Sequence, residues 1–244
     1  MSHSNDRSGV SYFFQGFDLI QVKGIRLFVF VPLMVNLLLF TGAFYYLYQQ
    51  LDAVFLWLDG YIPDWLSWLD YLLWPLAVIA ILVVFSFIFS SIANWIAAPF
   101  NGLLAEKVEL HLTNQPMGDS GLSDIIKDVP RTLSREWSKL VYYIPRAIGF
   151  FLIFLFVPVF GQLIWFLFTA WIMAIQYCDY PFDNHKISFQ EMRQQLSENK
   201  SRSYSFGLTV TLFAMLPIIN FVVMPVAICG ATAMWVDQYR EKFR

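Results

Sequence analysis

The sequence predicts an all-α integral membrane protein, on the strength of its composition, its long apolar runs and the placement of its charges. Of the 244 residues, 58% are hydrophobic and only 14% are charged, whereas a soluble domain carries about 25% charged residues. Several uncharged runs are long enough to cross the roughly 30 Å hydrocarbon core of a bilayer as helices. The expected architecture is a single membrane domain with two long transmembrane helices, two re-entrant helical hairpins and cytoplasmic amphipathic helices.

The first transmembrane helix is predicted over residues 27–48, directly after the short basic sequence Lys23–Arg26. A short amphipathic helix rich in aromatic residues is predicted before it, within residues 9–22, at the membrane interface. Gly24 and two cations fall where the first N–H groups of the transmembrane helix are free, and such groups can hold an anion. Within the span, Asn36 has two interpretations: an interhelical hydrogen bond or a polar lining for a pathway.

The segment over residues 49–75 is predicted to be an external loop with an aromatic belt. Its charges are all acidic, four tryptophans lie among them, and no Lys or Arg occurs between Arg26 and Lys107. By the positive-inside rule, this loop faces away from the cytoplasm and the N-terminus is cytoplasmic. The polar N-terminus has no apolar core or cleavage site, so we expect no removable signal peptide.

A second transmembrane helix is predicted over residues 76–98, with a charged continuation to about residue 114. Its end is polar, and helical spacing places these polar residues on one face if Pro99 does not kink the helix. Together with Asn36, they are the candidate pore lining: Ser90, Asn94, Asn101 and Glu106. Because Glu106 repels anions, we expect it to pair with a cation or to tune selectivity.

Residues 121–146 are predicted to form an amphipathic cytoplasmic helix, with apolar residues recurring at intervals of three and four. Four cations, which we call the basic stripe, recur every four residues along it: Lys127, Arg131, Arg135 and Lys139. The stripe has two interpretations. The helix lies on the anionic lipids of the inner leaflet, or it forms a positive wall that concentrates anions at a pore mouth.

Two apolar runs, over residues 147–176 and 206–235, are interpreted as re-entrant helical hairpins. Each is interrupted in its first half by a proline, Pro158 or Pro217, and each lies between basic flanks. Two full transmembrane spans are the alternative, but they would place the basic segment 177–205 outside, whereas hairpins keep every basic flank on one side. Turns at depth are tolerated only where protein or a cavity surrounds them, so the hairpins also predict a homo-oligomer.

A short surface helix is predicted between the two hairpins. Its start, Ser188-Phe189-Gln190-Glu191, matches a capping box, in which the Ser side chain accepts a hydrogen bond from the backbone of the Glu. Phe189, Met192 and Leu196 give the helix one apolar side. We assign no chemistry to it.

Catalytic and cofactor-binding motifs are missing from the sequence. It has no nucleotide-binding P-loop, no H-E-x-x-H zinc motif and no G-x-S-x-G nucleophile motif. Cys178 and Cys229 are expected to be apolar packing residues, and Asp179 and Asp183 are attributed to turn chemistry beside Pro181. We therefore expect no enzymatic activity, no cofactor, no metal site and no nucleic-acid partner.

In order and spacing, a set of short motifs resembles the CysZ sulfate permease family of bacterial inner membranes. The motifs are Lys23-Gly24-Ile25-Arg26 with Val31-Pro32-Leu33-Met34-Val35-Asn36, Ala98-Pro99-Phe100-Asn101 with Leu104-Ala105-Glu106-Lys107, Phe206-Gly207 with Leu216-Pro217, and Met224-Pro225-Val226-Ala227 with Gly230-Ala231-Thr232. The resemblance extends over nearly the whole chain. It implies two long membrane helices and two pairs of helices that penetrate only part of the bilayer.

The resemblance also implies a function. The chain would take up sulfate, or the related oxyanion sulfite, without ATP, for sulfur assimilation and cysteine biosynthesis, and would assemble as dimers or larger homo-oligomers. The turn formed by Lys23, Gly24, Ile25 and Arg26 would bind the sulfate. Many relatives carry a second Arg after the first, and Leu27 takes that position here, which leaves Lys23 as the candidate substitute. Two alternatives stay open: the two cations only fix the topology, or the chain is a non-transporting membrane scaffold or assembly factor.

Overall fold

The computed structural model describes residues 7–59, 70–116 and 122–243, apart from the side chains at 52, 54–55, 57–59, 70–73, 90–91, 93–99, 122–129 and 218. The described residues form helices and connecting turns without a β-strand, so the predicted all-α fold class is confirmed. The described parts of the predicted external loop, residues 49–59 and 70–75, are helical, so the neighbouring helices are longer than expected. The middle of this loop, residues 60–69, lies outside the described residues.

The described chain contains eight α-helices and a short 3₁₀ helix. In chain order they are α1 (Gly9–Leu19), α2 (Arg26–Asp59), α3 (Asp70–Thr113), α4 (Leu122–Phe156), α5 (Phe160–Asn184), α6 (Phe189–Glu198), α7 (Lys200–Ala214), α8 (Pro217–Gln238) and the 3₁₀ helix Arg240–Phe243. Within the described residues, four segments are long and apolar enough to cross a membrane: Arg26–Leu51, Pro130–Phe156, Phe160–Asn184 and Ile219–Gln238. By the length and composition of its helices, the chain is a multi-pass membrane protein.

Residues 30–100 form one compact unit, built from most of α2 and the first part of α3. Phenylalanine rings join the two helices: the ring of Phe40 lies 5.2 Å from that of Phe89, and the ring of Phe44 lies 6.2 Å from that of Phe85. Residues later in α2 thus meet residues earlier in α3, so the two helices are antiparallel. Both helices are continuous, and α2 passes through Pro32 without a break.

The other compact unit comprises residues 1–29 and 101–244, and α8 lies at its centre. Val226 and Ile228 of α8 are fully buried, and α8 packs against α1, α5 and α7. A Cβ atom on Gly16 of α1 would collide with the carbonyl oxygen of Val226, and one on Gly230 would lie 2.5 Å from that of Tyr12. Glycines at these positions therefore allow α1 and α8 to touch backbone to backbone.

The amphipathic helix predicted within residues 9–22 is α1, but protein covers its aromatic face. Tyr12 and Phe13 are fully buried, and the Phe13 ring lies 5.0 Å from that of Phe213 in α7. The Tyr12 hydroxyl donates to Asp237 at 3.2 Å and accepts from Gln238 at 2.8 Å, while burial raises the pKa of this hydroxyl. Tyr12 and Phe13 of α1 thus belong to the protein core, whereas Phe14 on the same helix is 48% exposed.

Helices α4 and α5 form an antiparallel hairpin whose turn is residues 157–159, beside the predicted break at Pro158. The rings of Phe150 and Phe168 stack at 4.5 Å near the turn. Further from it, the Trp171 indole N–H donates to the Tyr142 hydroxyl at 3.0 Å. In each pair, the two residues are separated from the turn by similar numbers of residues. This is expected for two antiparallel helices joined by a short turn.

The boundaries of this hairpin differ from the expected ones. No helix end occurs at residue 146, because α4 joins the predicted amphipathic segment 121–146 and the first hairpin arm in one continuous helix. The second arm also runs past residue 176 to Asn184. Pro145 is tolerated inside α4, so the apolar periodicity and the long apolar run belong to one element. How deeply the hairpin enters the membrane stays a prediction.

Helices α7 and α8 form a second hairpin, with its turn at Met215–Leu216, directly before Pro217. Near the open end, the Arg202 guanidinium donates to the Gln238 side chain at 2.7 Å. The first arm begins at Lys200 rather than at residue 206. A Cβ on Gly207 would collide with the carbonyl oxygen of Ala170, so α7 packs directly on the backbone of α5.

The short helix α6 has the predicted cap and the predicted apolar side. The Ser188 hydroxyl accepts a hydrogen bond from the Glu191 N–H at 3.2 Å. Phe189, Met192 and Leu196 are buried. Both features are local consequences of the sequence, and both are confirmed.

Candidate functional site

The turn Lys23–Arg26 joins α1 to α2 and exposes both of its cations. Gly24 has a φ of 95°, a conformation that favours glycine, and a Cβ there would meet nothing within 4 Å. Ile25 is only 2% exposed and anchors the turn in the core. Among the described residues, neither the Lys23 ammonium nor the Arg26 guanidinium forms an ion pair. The turn therefore presents two uncompensated cations beside an open backbone.

Two of the backbone N–H groups expected to contact an anion already have a hydrogen-bond partner. The N–H groups of Ile25 and Arg26 both donate to the carbonyl oxygen of Val22 at 3.1 Å. The prediction that these two N–H groups are free is therefore wrong, because Val22 closes a turn before α2 begins. An anion here would contact the side chains of Lys23 and Arg26 rather than those two N–H groups.

Asn36 is the lining candidate in the unit of residues 30–100 whose side chain is described. It is half-buried on α2, and within the described structure its Oδ1 atom is buried without a hydrogen-bond partner. A buried amide oxygen without a partner is costly. This observation favours a position that water, an ion or another chain completes. The side chains of Ser90 and Asn94 lie outside the described residues.

Asn101 and Glu106, the remaining lining candidates, lie on the last part of α3 and differ in their surroundings. Asn101 is 8% exposed, and its Nδ2 atom donates to the Tyr180 hydroxyl at 3.1 Å. Its amide is therefore engaged in packing α3 against α5. Glu106 is half-buried, and the expected cation partner is not found among the described residues.

Glu109, one turn after Glu106, is a buried ion-pair centre that the sequence reasoning missed. It is 1% exposed, and its carboxylate accepts from Arg240 Nε at 2.7 Å and from His185 Nε2 at 2.8 Å. Burial alone would raise its pKa, but the hydrogen bonds and charges of His185 and Arg240 outweigh burial and hold the pKa below its ordinary value. Its spacing of four from the buried Ala105 is the signal that places it on the inner face of α3.

The basic stripe is paired with carboxylates of α5. The Arg135 side chain is 4% exposed and donates to Asp179 Oδ1 from Nη2 at 2.7 Å and from Nε at 3.0 Å. Lys139 lies 2.5 Å from Asp179 Oδ2, and Arg131 lies 2.7 Å from Asp183 Oδ1. These contacts join α4 to α5. The attribution of Asp179 and Asp183 to turn chemistry is therefore wrong.

These contacts also change the meaning of the stripe itself. Arg135 faces inward and additionally donates to the carbonyl oxygen of Ile187, so it is neither a lipid anchor nor part of a positive wall. Arg131 and Lys139 are partly exposed, but their charge is offset by the carboxylates they contact. The Lys127 side chain lies outside the described residues. A pattern of cations on one helix cannot show which carboxylates another helix brings to them.

A second cationic site lies on the outer side of the same hairpin. A cavity of about 790 Å³ opens between α4, the turn between α5 and α6, and α6. We call it the basic groove, after the cations Arg146, Lys186 and Arg193 in its lining. Sequence reasoning did not group these three residues, because they are contributed by three separate elements.

Metal ligation is not indicated by the geometry. Within the parts of the chain that the structure describes, no cluster of three or more His, Cys, Asp or Glu residues could hold a metal ion. The Glu109 cluster contains one carboxylate and one imidazole, and Arg240 completes it. Its chemistry is that of a structural ion pair.

Comparison with protein-family models gives a match that covers residues 12–225. The matching family is described as sulfate transporter CysZ/etoposide-induced protein 2.4. The match begins in α1 and ends in α8. It therefore includes the turn Lys23–Arg26 and both helical hairpins.

Proposed function

Because the chain belongs to the sulfate transporter CysZ/etoposide-induced protein 2.4 family, we propose that it carries sulfate across the bacterial inner membrane. Uptake would proceed through an ATP-independent channel or permease and would supply sulfur assimilation and cysteine biosynthesis. The observation that carries the proposal is the family match over residues 12–225, in a chain with four helices long and apolar enough to cross a membrane.

The turn Lys23–Arg26 is the proposed point of sulfate contact. Sulfate is a dianion with only acceptor oxygens, and the planar Arg26 guanidinium can donate two parallel N–H bonds to it. Lys23 supplies a second, mobile cation, and the open side of Gly24 leaves room for the ion. Both cations are exposed, so the affinity is modest, and modest affinity suits an ion that must also leave.

Asn36 is the proposed polar step along α2. Its Oδ1 atom has no partner among the described residues, which supports a water molecule or a hydrated ion beside it.

A homo-oligomer is also proposed, because large apolar side chains are exposed on the protein. The hairpin tips expose large apolar side chains, including Phe156 at 78% and Phe221 at 74%, and a second copy or lipid would cover them.

The direct test is sulfate flux. Purified protein is reconstituted into liposomes, and uptake of labelled sulfate down its gradient is compared with uptake by protein-free liposomes. We expect uptake above this baseline, with competition by unlabelled sulfite. Uptake equal to the baseline would reject transport, and co-purification of a stoichiometric membrane partner would then identify a scaffold or assembly factor.

Substitutions at the turn test the site separately from the function. Arg26→Ala removes a charge-assisted donor, worth about 1.5–3 kcal/mol, so sulfate binding measured by calorimetry should weaken by at least tenfold. Leu27→Arg adds a cation at a side chain that is 60% exposed, and we expect tighter binding. Lys200→Ala, at an exposed lysine elsewhere, is the matched control and should leave binding unchanged. If Arg26→Ala leaves sulfate binding unchanged, sulfate binds elsewhere on the protein. Transport itself would not be rejected by this result.

A further inference from the structure

The basic groove carries a positive charge that the described protein does not neutralise. Five of its lining residues are Arg or Lys, and none of the lining residues is Asp or Glu. Arg131 and Arg135 are offset by the carboxylates of α5. Arg146, Lys186 and Arg193 form no ion pair with any carboxylate that the structure describes. Three cations thus remain for a ligand.

Two of these cations share one aromatic ring. The guanidinium carbon of Arg146 lies 3.9 Å from the centre of the Tyr142 ring, and that of Arg193 lies 4.1 Å from it. The Tyr142 hydroxyl is held by the Trp171 indole N–H, so the ring has a fixed position. Arg146 donates from Nη1 to the Tyr142 carbonyl oxygen at 3.0 Å. Stacking on a ring leaves the other in-plane N–H donors of a guanidinium free for an oxyanion.

One donor in the pair is already buried without an acceptor. The Nε atom of Arg193 is inaccessible and has no hydrogen-bond partner within the described structure. Two like charges close to one ring repel each other, and a buried donor without a partner is costly. An anion that accepts from the accessible N–H groups of both guanidiniums would offset the repulsion between them. The first turn of α6, from Ser188 to Gln190, also lines the groove and presents the start of a helix to it.

The other side of the groove is apolar and faces outward. Trp137 is 68% exposed and Val141 is 56% exposed, and both line the groove. The exposed apolar strip continues along α4 through Ile144 and Ile148, within the membrane-compatible segment Pro130–Phe156. Cations beside an exposed apolar strip match a molecule with an anionic head and an acyl chain. A bare tetrahedral oxyanion would fill only a small part of a cavity of about 790 Å³.

We propose that the basic groove binds the phosphate headgroup of an anionic phospholipid. Arg146 and Arg193 donate to the phosphate oxygens, Lys186 adds a third cation, and the acyl chain lies along the exposed apolar strip of α4. The bound lipid would tie α4 to α6, beside the ion pairs that Arg131 and Arg135 form with α5. The inference does not depend on transport activity.

The test uses native mass spectrometry of the full-length protein in detergent. Delipidated protein is titrated with phosphatidylglycerol and, in parallel, with phosphatidylcholine of the same acyl chains, which is zwitterionic. Each cation near a phospholipid surface favours an anionic lipid by about fivefold, so we expect at least a tenfold preference for phosphatidylglycerol. Arg146→Gln combined with Arg193→Gln should lower the preference by more than tenfold, while Lys200→Gln should leave it unchanged.

A second variant tests the same site in case the double arginine variant does not fold. Ser138 is exposed and lines the groove, and Ser138→Glu adds a carboxylate while keeping both arginines and their packing. It should lower phosphatidylglycerol occupancy by severalfold and leave phosphatidylcholine occupancy unchanged. Equal occupancy of the unsubstituted protein by the two lipids, or a preference that neither variant lowers, would overturn the proposal. Displacement of the lipid by free sulfate or phosphate at equal concentration would overturn the lipid assignment in favour of a soluble oxyanion.

Discussion

Replacing Asp179 with Asn tests whether buried ion pairs hold α4 against α5. The substitution keeps the shape of the side chain and removes the negative charge between Arg135 and Lys139. The side chains of Asp179 and Arg135 are only 9% and 4% exposed. Removing one partner of a buried pair costs about 3–5 kcal/mol, because the other charge is left buried.

The lower end of this range applies, because Arg135 keeps two other partners. Its Nε atom lies 3.3 Å from Asp183 Oδ1, and its Nη1 atom donates to the Ile187 carbonyl oxygen. For a chain of this size, 1 kcal/mol corresponds to about 2–4 °C in Tm. We therefore expect Asp179→Asn to lower the Tm by about 6–12 °C, measured by tryptophan fluorescence in detergent.

Two further variants make this experiment decisive. Glu198→Gln breaks the exposed pair with Lys242, whose side chains are 43% and 48% exposed, and should cost under about 1 kcal/mol. Arg135→Met combined with Asp179→Leu removes the buried pair as a whole and should recover much of the lost stability. The reasoning fails if Asp179→Asn lowers the Tm no more than Glu198→Gln does.

Three other predictions concern packing, pH and the proposed pathway. Gly207→Ala should lower the Tm by several degrees because its Cβ collides with the α5 backbone, whereas Gly149→Ala, with open space around it, should be neutral or stabilising by up to about 1 kcal/mol; equal effects would contradict the close approach. The pKa of Glu109 is lowered in the folded state, so its ionised form adds stability above its ordinary pKa, and this stability is lost as the pH falls through the folded pKa. Glu109→Gln should flatten the acid dependence of the Tm, and an unaltered pH profile would argue against this role. Asn36→Leu should preserve or raise the Tm while lowering sulfate flux, and undiminished flux would remove Asn36 from the pathway.

Features set by neighbouring residues were predictable from the sequence. The helix breaks near Pro158 and Pro217 follow from a ring that fixes φ and removes a backbone donor. The cap at Ser188 follows from the spacing of a hydroxyl and the next free N–H groups. The all-helical membrane class follows from apolar runs that must satisfy every backbone group internally. None of these inferences requires knowledge of a distant contact.

Helix boundaries were less predictable where two patterns merge. The amphipathic periodicity before residue 146 and the apolar run after it suggested two elements, but α4 contains both. A change from polar to apolar side chains changes the surroundings in which a helix is stable. It does not by itself end the helix. In α3, by contrast, the helix joins its apolar and charged parts as the sequence analysis expected.

By itself, the sequence determined the all-helical membrane class, the two helix breaks and the position of a basic turn before α2. Only the tertiary structure decided which charges are free for a ligand. Asp179 neutralises Arg135 across 44 residues, and Arg240 reaches Glu109 across 131. Among the described residues, the cations without a carboxylate partner include Lys23 and Arg26 of the turn and Arg146, Lys186 and Arg193 of the basic groove. The physical reason is that helix formation depends on residues three or four positions apart, whereas an ion pair depends on which helices pack together.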